Sequence, residues 1–145
     1  MNDIQKMKKS FLLLTLFSGF CFAKPQVYFG ADALSNSGGY SVQHGIYFPV
    51  NQDLDFGYDI DFTQWNRDVH SFGLNIKPAF RKQQFYLAPI VGLHYFSGDI
   101  DSSYSLGAEV GWDFERVTIR AGYKDVNDEF VDNDAFYVGA AIRFD

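Results

Sequence analysis

From residue 24 onward, apolar and polar residues alternate with a period of two in segments of about ten residues, and helical periodicity is absent. Successive side chains of a β-strand point to opposite faces, so each segment is predicted to form a strand with one apolar face. The pattern therefore predicts an all-β fold. The predicted strands cover residues 26–35, 40–50, 54–65, 69–80, 84–96, 103–114, 117–125 and 135–144.

The connections between these strands alternate in character. Residues 51–53, 81–83 and 115–116 form tight turns, whereas the other connections are mostly looser and richer in Gly, Ser, Asn and Asp. An even number of strands, with short turns at one end and longer loops at the other, is typical of outer-membrane barrels. Both termini lie on the short-turn side, so these turns are expected to be periplasmic and the longer loops extracellular.

The two faces differ in bulk as well as in polarity. One face carries several large apolar residues per strand, such as Phe56, Tyr58 and Ile60 in the third strand. The opposite face carries nine of the thirteen glycines together with charged and polar residues. Its charged and polar members are Asp32, Gln43, Asp55, Asp59, Asp61, Asn75, Lys77, His94, Glu109, Asp113, Arg120, Lys124 and Arg143.

Side-chain volume decides which face points inward. An eight-stranded barrel is only just wide enough for side chains to fill its interior, and the large apolar set would overfill it. The apolar face is therefore expected to contact lipid, where the sheet must close because no strand edge can stay unpaired in hydrocarbon. The prediction is a closed, eight-stranded, antiparallel transmembrane β-barrel. A soluble lipocalin-like barrel that binds a ligand alternates equally well and is the alternative.

The first 23 residues have the features of a cleavable signal peptide. Three lysines between residues 6 and 9 form a positive n-region, residues 11–17 form an apolar core, and Cys21-Phe22-Ala23 provides a cleavage site. We predict a signal peptide over residues 1–23 and a barrel domain over residues 24–145. Translation could begin at Met1 or Met7 without changing the mature chain. Acylation of Cys21 is disfavoured because Phe20 precedes it, where a small residue is required.

Removal of residues 1–23 takes away three lysines and one aspartate, which changes the net charge from −6 to −8. Such an acidic chain is not expected to bind nucleic acid, which requires clustered Lys and Arg. The mature chain has no cysteine, so strand pairing and membrane burial must stabilise it. The aromatic content of 19% suits a membrane-facing surface. Together these features predict location in the outer membrane of a Gram-negative cell.

Three residues depart from the simple pattern. Pro89 lies inside the fifth strand and cannot donate to a ladder, so a bulge or local break is expected there. His44 falls on the apolar face, which predicts a position near a rim or beside a bulge. Trp65 breaks the parity of its strand and is expected to mark the outer membrane interface.

The last strand, Ala-Phe-Tyr-Val-Gly-Ala-Ala-Ile-Arg-Phe over residues 135–144, supports a family resemblance. Over residues 26–144 the chain resembles the small outer-membrane β-barrel family that includes the transmembrane domain of outer membrane protein A. The resemblance implies that Tyr137, Ile142 and Phe144 belong to a C-terminal signal read by the barrel-assembly machinery. Asp145 follows the aromatic residue that usually ends this signal.

The charged residues of the inner face are the candidate site. Because buried charges must be paired, they are expected to form an ionic network that plugs the lumen. The alternative is a narrow channel with a switchable gate, which would need a wider lumen. The predicted network contains the carboxylates Asp59, Asp61, Glu109 and Asp113, and the cations Lys77, Arg120, Lys124 and Arg143.

Enzymatic function is not expected from this sequence. His94 and Ser97 lie three residues apart and could act as base and nucleophile of a lipid-modifying hydrolase. However, the His-x-Ser-Asn arrangement of lipid A deacylases is absent. Divalent cations could bridge the acidic segment 125–134, with Asp99 and Asp101, to lipopolysaccharide phosphates. A solvated acidic loop is favoured instead. Neither a metal nor a cofactor is predicted.

We therefore predict a monomeric, non-enzymatic protein with a structural or surface-interaction role. Its expected partners are outer-membrane lipids and lipopolysaccharide, and the barrel-assembly machinery during insertion.

Overall fold

The computed structural model describes residues 24–36, 38–97, 102–126 and 133–144. The predicted signal peptide lies outside these ranges, as do Asp99, Asp101 and most of the acidic segment. Each predicted strand agrees with the structure to within two residues at either end. The strands are β1 (Gln26–Leu34), β2 (Tyr40–Pro49), β3 (Leu54–Gln64), β4 (His70–Lys82), β5 (Phe85–Phe96), β6 (Ser103–Phe114), β7 (Val117–Val126) and β8 (Asn133–Phe144).

The eight strands form one closed barrel. Each strand pairs in antiparallel fashion with the next, and β8 pairs with β1 from Phe144 opposite Val27 to Tyr137 opposite Leu34. Closure leaves no unpaired edge strand, which confirms the predicted architecture. Among the described residues there is no helix long and apolar enough to cross a membrane.

The barrel has two different ends. The turn end carries the short connections 50–53, 83–84 and 115–116 together with the start of β1 and the end of β8. The loop end carries the connections 35–39, 65–69, 97–102 and 127–132. Two of the tight turns contain a residue with positive φ, Gln83 at 57° and Glu115 at 53°.

The orientation of the two faces is as predicted. Large apolar side chains cover the outside, and even the bulkiest are widely exposed, with Phe136 at 68% and Leu106 at 62%. Charged side chains such as Asp61, Lys77 and Glu109 are buried inside. Volume was therefore a sound guide to which face points inward.

Four large tyrosines also point inward, and each stands directly opposite a glycine on the neighbouring strand. The ring of Tyr86 occupies space that a Cβ on Gly111 would need, because its Cε1 atom would lie 2.1 Å from that Cβ. The same relation holds for the other three rings. The cross-strand pairs are Tyr28 with Gly45, Tyr47 with Gly57, Tyr86 with Gly111, and Tyr137 with Gly122.

The β4–β5 ladder breaks locally at Pro89, as predicted, but without a bulge. Pairing stops after Ile76 opposite Val91 and resumes at Phe80 opposite Leu87 in the same register. Continuation of that register places Pro78 opposite Pro89. Neither proline has an N–H group to donate, so two opposed prolines explain the gap.

Two predictions on individual residues were wrong. Trp65 does not mark the outer interface: it keeps the inward parity of β3 and is fully buried in the lumen. His44 lies in the middle of β2 rather than near a rim or bulge, with regular pairing to Phe29 and Ile60 on its two sides. It therefore faces outward within the apolar belt.

Candidate functional site in the barrel lumen

The centre of the lumen is built around Lys77 of β4. Its Nζ atom lies 2.8 Å from an oxygen of Asp59 and 3.7 Å from an oxygen of Glu109. Tyr28 donates a hydrogen bond of 2.6 Å to Asp59, and Tyr86 and Tyr137 each donate one of 2.6 Å to Glu109. The lysine is thus held between two carboxylates that also accept hydrogen bonds from tyrosine hydroxyls, and Asn75 donates to the other oxygen of Asp59.

A second group joins β7 to β1 and β2. Arg120 donates to both carboxylate oxygens of Asp32, at 2.8 and 3.1 Å, in the bidentate geometry that a guanidinium favours. It also donates to the side-chain oxygen of Gln43, and the amide of Gln43 donates to Asp32. Arg120 and Asp32 are 88 residues apart in sequence, so only barrel closure brings them together.

The third group lies around Asp61 of β3, nearer the loop end. Lys124 Nζ lies 3.3 Å from Asp61 Oδ2, and Thr63 and Asn75 donate to the same carboxylate. The Nε2 atom of His94 lies 3.8 Å from Asp61 Oδ2. This carboxylate therefore has a cation on one side and an imidazole on the other.

His94 also contacts Ser71, which completes a Ser-His-Asp sequence of side chains. Ser71 Oγ lies 3.0 Å from His94 Nδ1 and accepts a 2.9 Å hydrogen bond from Trp65 Nε1. The direction of the Ser71–His94 hydrogen bond depends on the histidine tautomer, and His94 Nε2, 3.8 Å from Asp61, has no hydrogen-bond partner among the described residues. Both Ser71 and His94 are buried, so this nucleophile is not open to a substrate in the described arrangement.

The disfavoured candidate pair of His94 and Ser97 does not form. The Ser97 hydroxyl lies at the loop end, 3.4 Å from the backbone oxygen of His70, whereas His94 contacts Ser71 inside the barrel. Parity explains the difference, because residues three apart on a strand point to opposite faces.

Charged residues occupy the turn end of the lumen. Arg81 donates to both Asp55 and Asp113, and its guanidinium lies over the rings of Tyr47 and Tyr86, 5.5 and 5.2 Å from their centroids. Arg143 lies 3.5 Å from Asp113. The side chains of Arg81 and Arg143 are 14% exposed, so this end is partly open to solvent.

Apolar side chains close the loop end instead. Trp65, Phe96, Val126 and Ala135 form one buried cluster, with Leu34 and Val69 packed against it. Of these six side chains, Trp65 alone carries a polar atom, its indole N–H group. A layer of hydrocarbon thus separates the Asp61 group from the loop end.

Little free space is left beside Arg81 and Arg120. The void between the tyrosines, Arg81 and Arg120 has a volume of about 10 Å³, room for about one water molecule. Within the described residues, no cluster of three or more His, Cys, Asp or Glu side chains could hold a metal ion.

The structure places all eight members of the predicted network inside the barrel and divides them among these groups. Asp59, Lys77 and Glu109 meet at the centre, Asp61 meets Lys124, and Asp113 meets Arg143. Arg120 pairs with none of the other seven in an ion pair, because its partner is Asp32. Of the predicted C-terminal signal, Ile142 and Phe144 face outward, whereas Tyr137 donates to Glu109 in the lumen.

Sequence reasoning missed the aromatic part of the site. The tyrosines share the strand parity of the charged residues, so parity could have identified them, but the assumption that aromatic residues face lipid hid this signal. Arg81 was missed because it was assigned to a turn, whereas β4 continues to Lys82. The residues involved are Tyr28, Tyr47, Arg81, Tyr86 and Tyr137, with Trp65 at the loop end.

Comparison with known proteins identifies the class of fold. The outer membrane protein Ail of Yersinia pestis superposes with a TM-score of 0.64 at 14% identity, covering 84% of this chain and 99% of that one. Neisserial surface protein A gives 0.56 at 21% identity, with 82% and 94% covered. The outer membrane enzyme PagL gives 0.54 at 11% identity, with 81% and 98% covered.

The chain therefore has the fold of the small eight-stranded outer-membrane β-barrels, as the resemblance in the sequence predicted. No family model matches the sequence. No curated protein matches it either. At these levels of identity the likeness concerns the fold alone, and the fold hosts both enzymatic and non-enzymatic proteins.

Proposed function

We propose that the protein is an integral outer-membrane barrel with a structural or surface-interaction role, whose lumen is plugged by charged side chains. The proposal rests above all on the pairing inside the lumen. Lys77, Arg120 and Lys124 each contact a carboxylate, and the void beside Arg120 is about 10 Å³. A conducting pore would need a continuous, hydrated path wider than this.

The outer surface supports the membrane location. Phe, Leu, Ile and Val side chains cover the barrel wall, and their exposure far exceeds what a water-soluble monomer tolerates. Hydrocarbon is the solvent in which this surface is stable. Lipids and lipopolysaccharide are accordingly the proposed partners of the folded barrel. A monomer that is inserted by the barrel-assembly machinery completes the proposal, with Ile142 and Phe144 on the outer face of the last strand.

Location is tested by expressing the chain from residue 1 and fractionating the membranes. We expect the protein in the outer-membrane fraction, with faster gel migration before boiling than after, because a closed barrel resists detergent until it is heated. Recovery as a soluble periplasmic protein with unchanged migration would contradict the membrane location and favour the lipocalin-like alternative.

Conductance in planar bilayers tests the plug against the narrow channel. We expect little current from the native protein, and we expect Glu109→Gln to lower stability while current stays low. A channel would instead carry a steady current that changes when Glu109 or Arg120 is neutralised. Asp53→Asn, in an exposed connection at the turn end, is the matched charge control.

The Ser71–His94–Asp61 sequence of side chains is the observation that favours an enzyme as the second candidate. A hydrolase that used it would need the Trp65 cluster to move, since Ser71 is buried beneath it. We expect His94→Ala to leave the lipid A mass spectrum of the expressing cells unchanged. Loss of a lipid product in this variant, with the barrel still folded, would establish an enzyme.

A further inference from the structure

A groove crosses the outer wall of the barrel between two neighbouring rows of outward side chains. It has a volume of about 580 Å³ and runs along the hydrogen-bonding direction of the sheet. With strands about 4.8 Å apart, a groove from β1 to β6 is about 24 Å long. The row on its loop side consists of His44, Ile60, Leu74, Leu93 and Tyr104, each paired with the next across the sheet.

The row on the turn side continues the apolar character. It runs from Val27 on β1 to Val91 on β5, and its one polar atom is the hydroxyl of Tyr58 on β3. The groove surface is almost wholly hydrocarbon. Its shape and chemistry therefore suit an extended alkyl chain rather than a sugar or a peptide.

His44 is the exception on this surface. Its ring stacks on Phe29 with 4.3 Å between centroids, which covers one face of the ring and leaves the nitrogen atoms at its edge. Neither nitrogen takes part in a hydrogen bond with any described residue. A polar group at this depth of a lipid-facing surface is costly unless a partner satisfies it.

Tyr58, on the opposite row, supplies a second polar group that lines the groove, and its ring packs against Phe48 and Phe56 on the turn side. Ile46 of β2 pairs with Tyr58, and His44 lies two residues from Ile46, so His44 and Tyr58 are diagonal neighbours across the β2–β3 ladder. Two groups that can donate or accept hydrogen bonds thus stand on opposite sides of the groove, at the same end of it. A plain alkyl chain offers no partner for either.

We propose that this groove binds a lipid acyl chain that carries a hydroxyl or ester oxygen along its length. The chain lies between the two rows, and its oxygen accepts from or donates to His44 and Tyr58. The inference rests on the proposed membrane location, because only lipid reaches this surface in a bilayer. It adds to that proposal a defined site and a chemical selectivity.

The test uses the chain's own histidines as reporters, since the full sequence contains only three. Protein with isotope-labelled histidine is folded in detergent micelles and titrated with two matched pairs of fatty acids. Each pair has a hydroxylated acid and its plain parent: β-hydroxymyristate with myristate, and ricinoleate with oleate. At least one hydroxylated acid is expected to shift the His44 ring signals at about tenfold lower concentration than its parent acid. The signals of His94, buried in the lumen, should not move.

Two variants assign the effect to the groove. His44→Leu should fold normally on a lipid-facing surface and abolish the preference for the hydroxylated acid, read then by competition with a labelled acid. Tyr58→Phe should reduce the preference by a smaller factor. The matched control combines His44→Leu with Ile142→His, which places a histidine on the other side of Phe29 and outside the groove, and it should show no preference.

The outcomes separate this inference from the proposed function. Equal binding of hydroxylated and plain acids by a barrel that shows the heat-dependent gel shift would overturn the groove site and leave the membrane protein intact. The groove site would also be overturned if the control variant preferred hydroxylated acids as strongly as the native protein does. A histidine anywhere in the apolar belt would then suffice. A protein that never shows the gel shift overturns the proposed function, and the groove site with it.

Discussion

The two ends of the lumen are closed by different means. At the loop end, Trp65 and Phe96 pack with small and branched side chains into a dry cluster. At the turn end, Arg81 bridges Asp55 and Asp113 and remains partly open to solvent. The stability of a packed apolar cluster depends on side-chain volume, whereas that of a partly exposed ionic group depends on charge and on salt.

This difference indicates where the barrel can admit water. Solvent reaches the Arg81 group at the turn end, but at the loop end it would have to cross the Trp65 cluster before reaching Asp61. The central ion pairs are therefore protected on one side by hydrocarbon and on the other by a second ionic layer. Substitutions at the two ends should consequently differ in size and in salt dependence.

The largest effect is expected from Trp65→Ala at the loop end. It removes a fully buried side chain and leaves a cavity, and it deprives Ser71 of a hydrogen bond, so the free energy of unfolding should fall by about 3–5 kcal/mol. Urea unfolding in lipid vesicles measures the change. Trp112→Ala, on the lipid-facing surface, is the matched control and should cost much less, because lipid fills the space. Similar losses in the two variants would mean that Trp65 does not close this end.

A smaller loss is expected from Gly111→Ala in the tyrosine layer. The added methyl group would overlap the ring of Tyr86, which is held by its hydrogen bond to Glu109, so the ring must shift at a cost of about 2 kcal/mol. A double-mutant cycle with Tyr86→Ala checks the cause. If the overlap is responsible, the glycine substitution should cost little once the ring is gone, and additive losses would show that it is not.

At the turn end, Arg81→Ala should cost about 1–2 kcal/mol, because Asp55 and Asp113 lose a donor but remain close to solvent. Part of this loss should disappear at high salt, where exposed charge interactions are screened. Unfolding at low and high salt measures the difference. A loss as large as that of Trp65→Ala, and independent of salt, would remove the distinction between the two ends.

The smallest effect is a gain from Gln83→Gly in a tight turn. Gln83 has a φ of 57°, which is unfavourable for a residue with a Cβ, so glycine should stabilise the barrel by about 0.5–1 kcal/mol. Gln84→Gly in the same turn is the control and should be neutral or destabilising. Unfolding midpoints compare the two variants, and a gain in both would point to side-chain effects instead of backbone strain.

Much of the fold could be predicted from the sequence because alternation is a local property. The residues of β3, where Asp55, Asp59 and Asp61 alternate with Phe56, Tyr58 and Ile60, define two faces without reference to any other strand. Volume then decided which face points inward. The same local reasoning misplaced Trp65, since hydrophobicity suggested lipid while its parity placed it in the lumen.

The partners within the lumen could not be predicted in the same way. Lys77 was expected to face carboxylates, but its choice of Asp59 and Glu109 depends on the register between strands and on how far around the barrel each side chain reaches. His44 illustrates the reverse case. Its outward direction followed from parity, but its mid-strand position and its stacking on Phe29 required the ladder itself.

The sequence by itself determined the strands, their number and the inward or outward direction of nearly every side chain, because the two-residue period acts along the chain. Only the tertiary structure decided which side chains meet. Closure brings Arg120 to Asp32, and register sets each of the four lumen tyrosines opposite a glycine. These contacts depend on the relative positions of strands far apart in sequence, and a pattern confined to one strand carries no information about them.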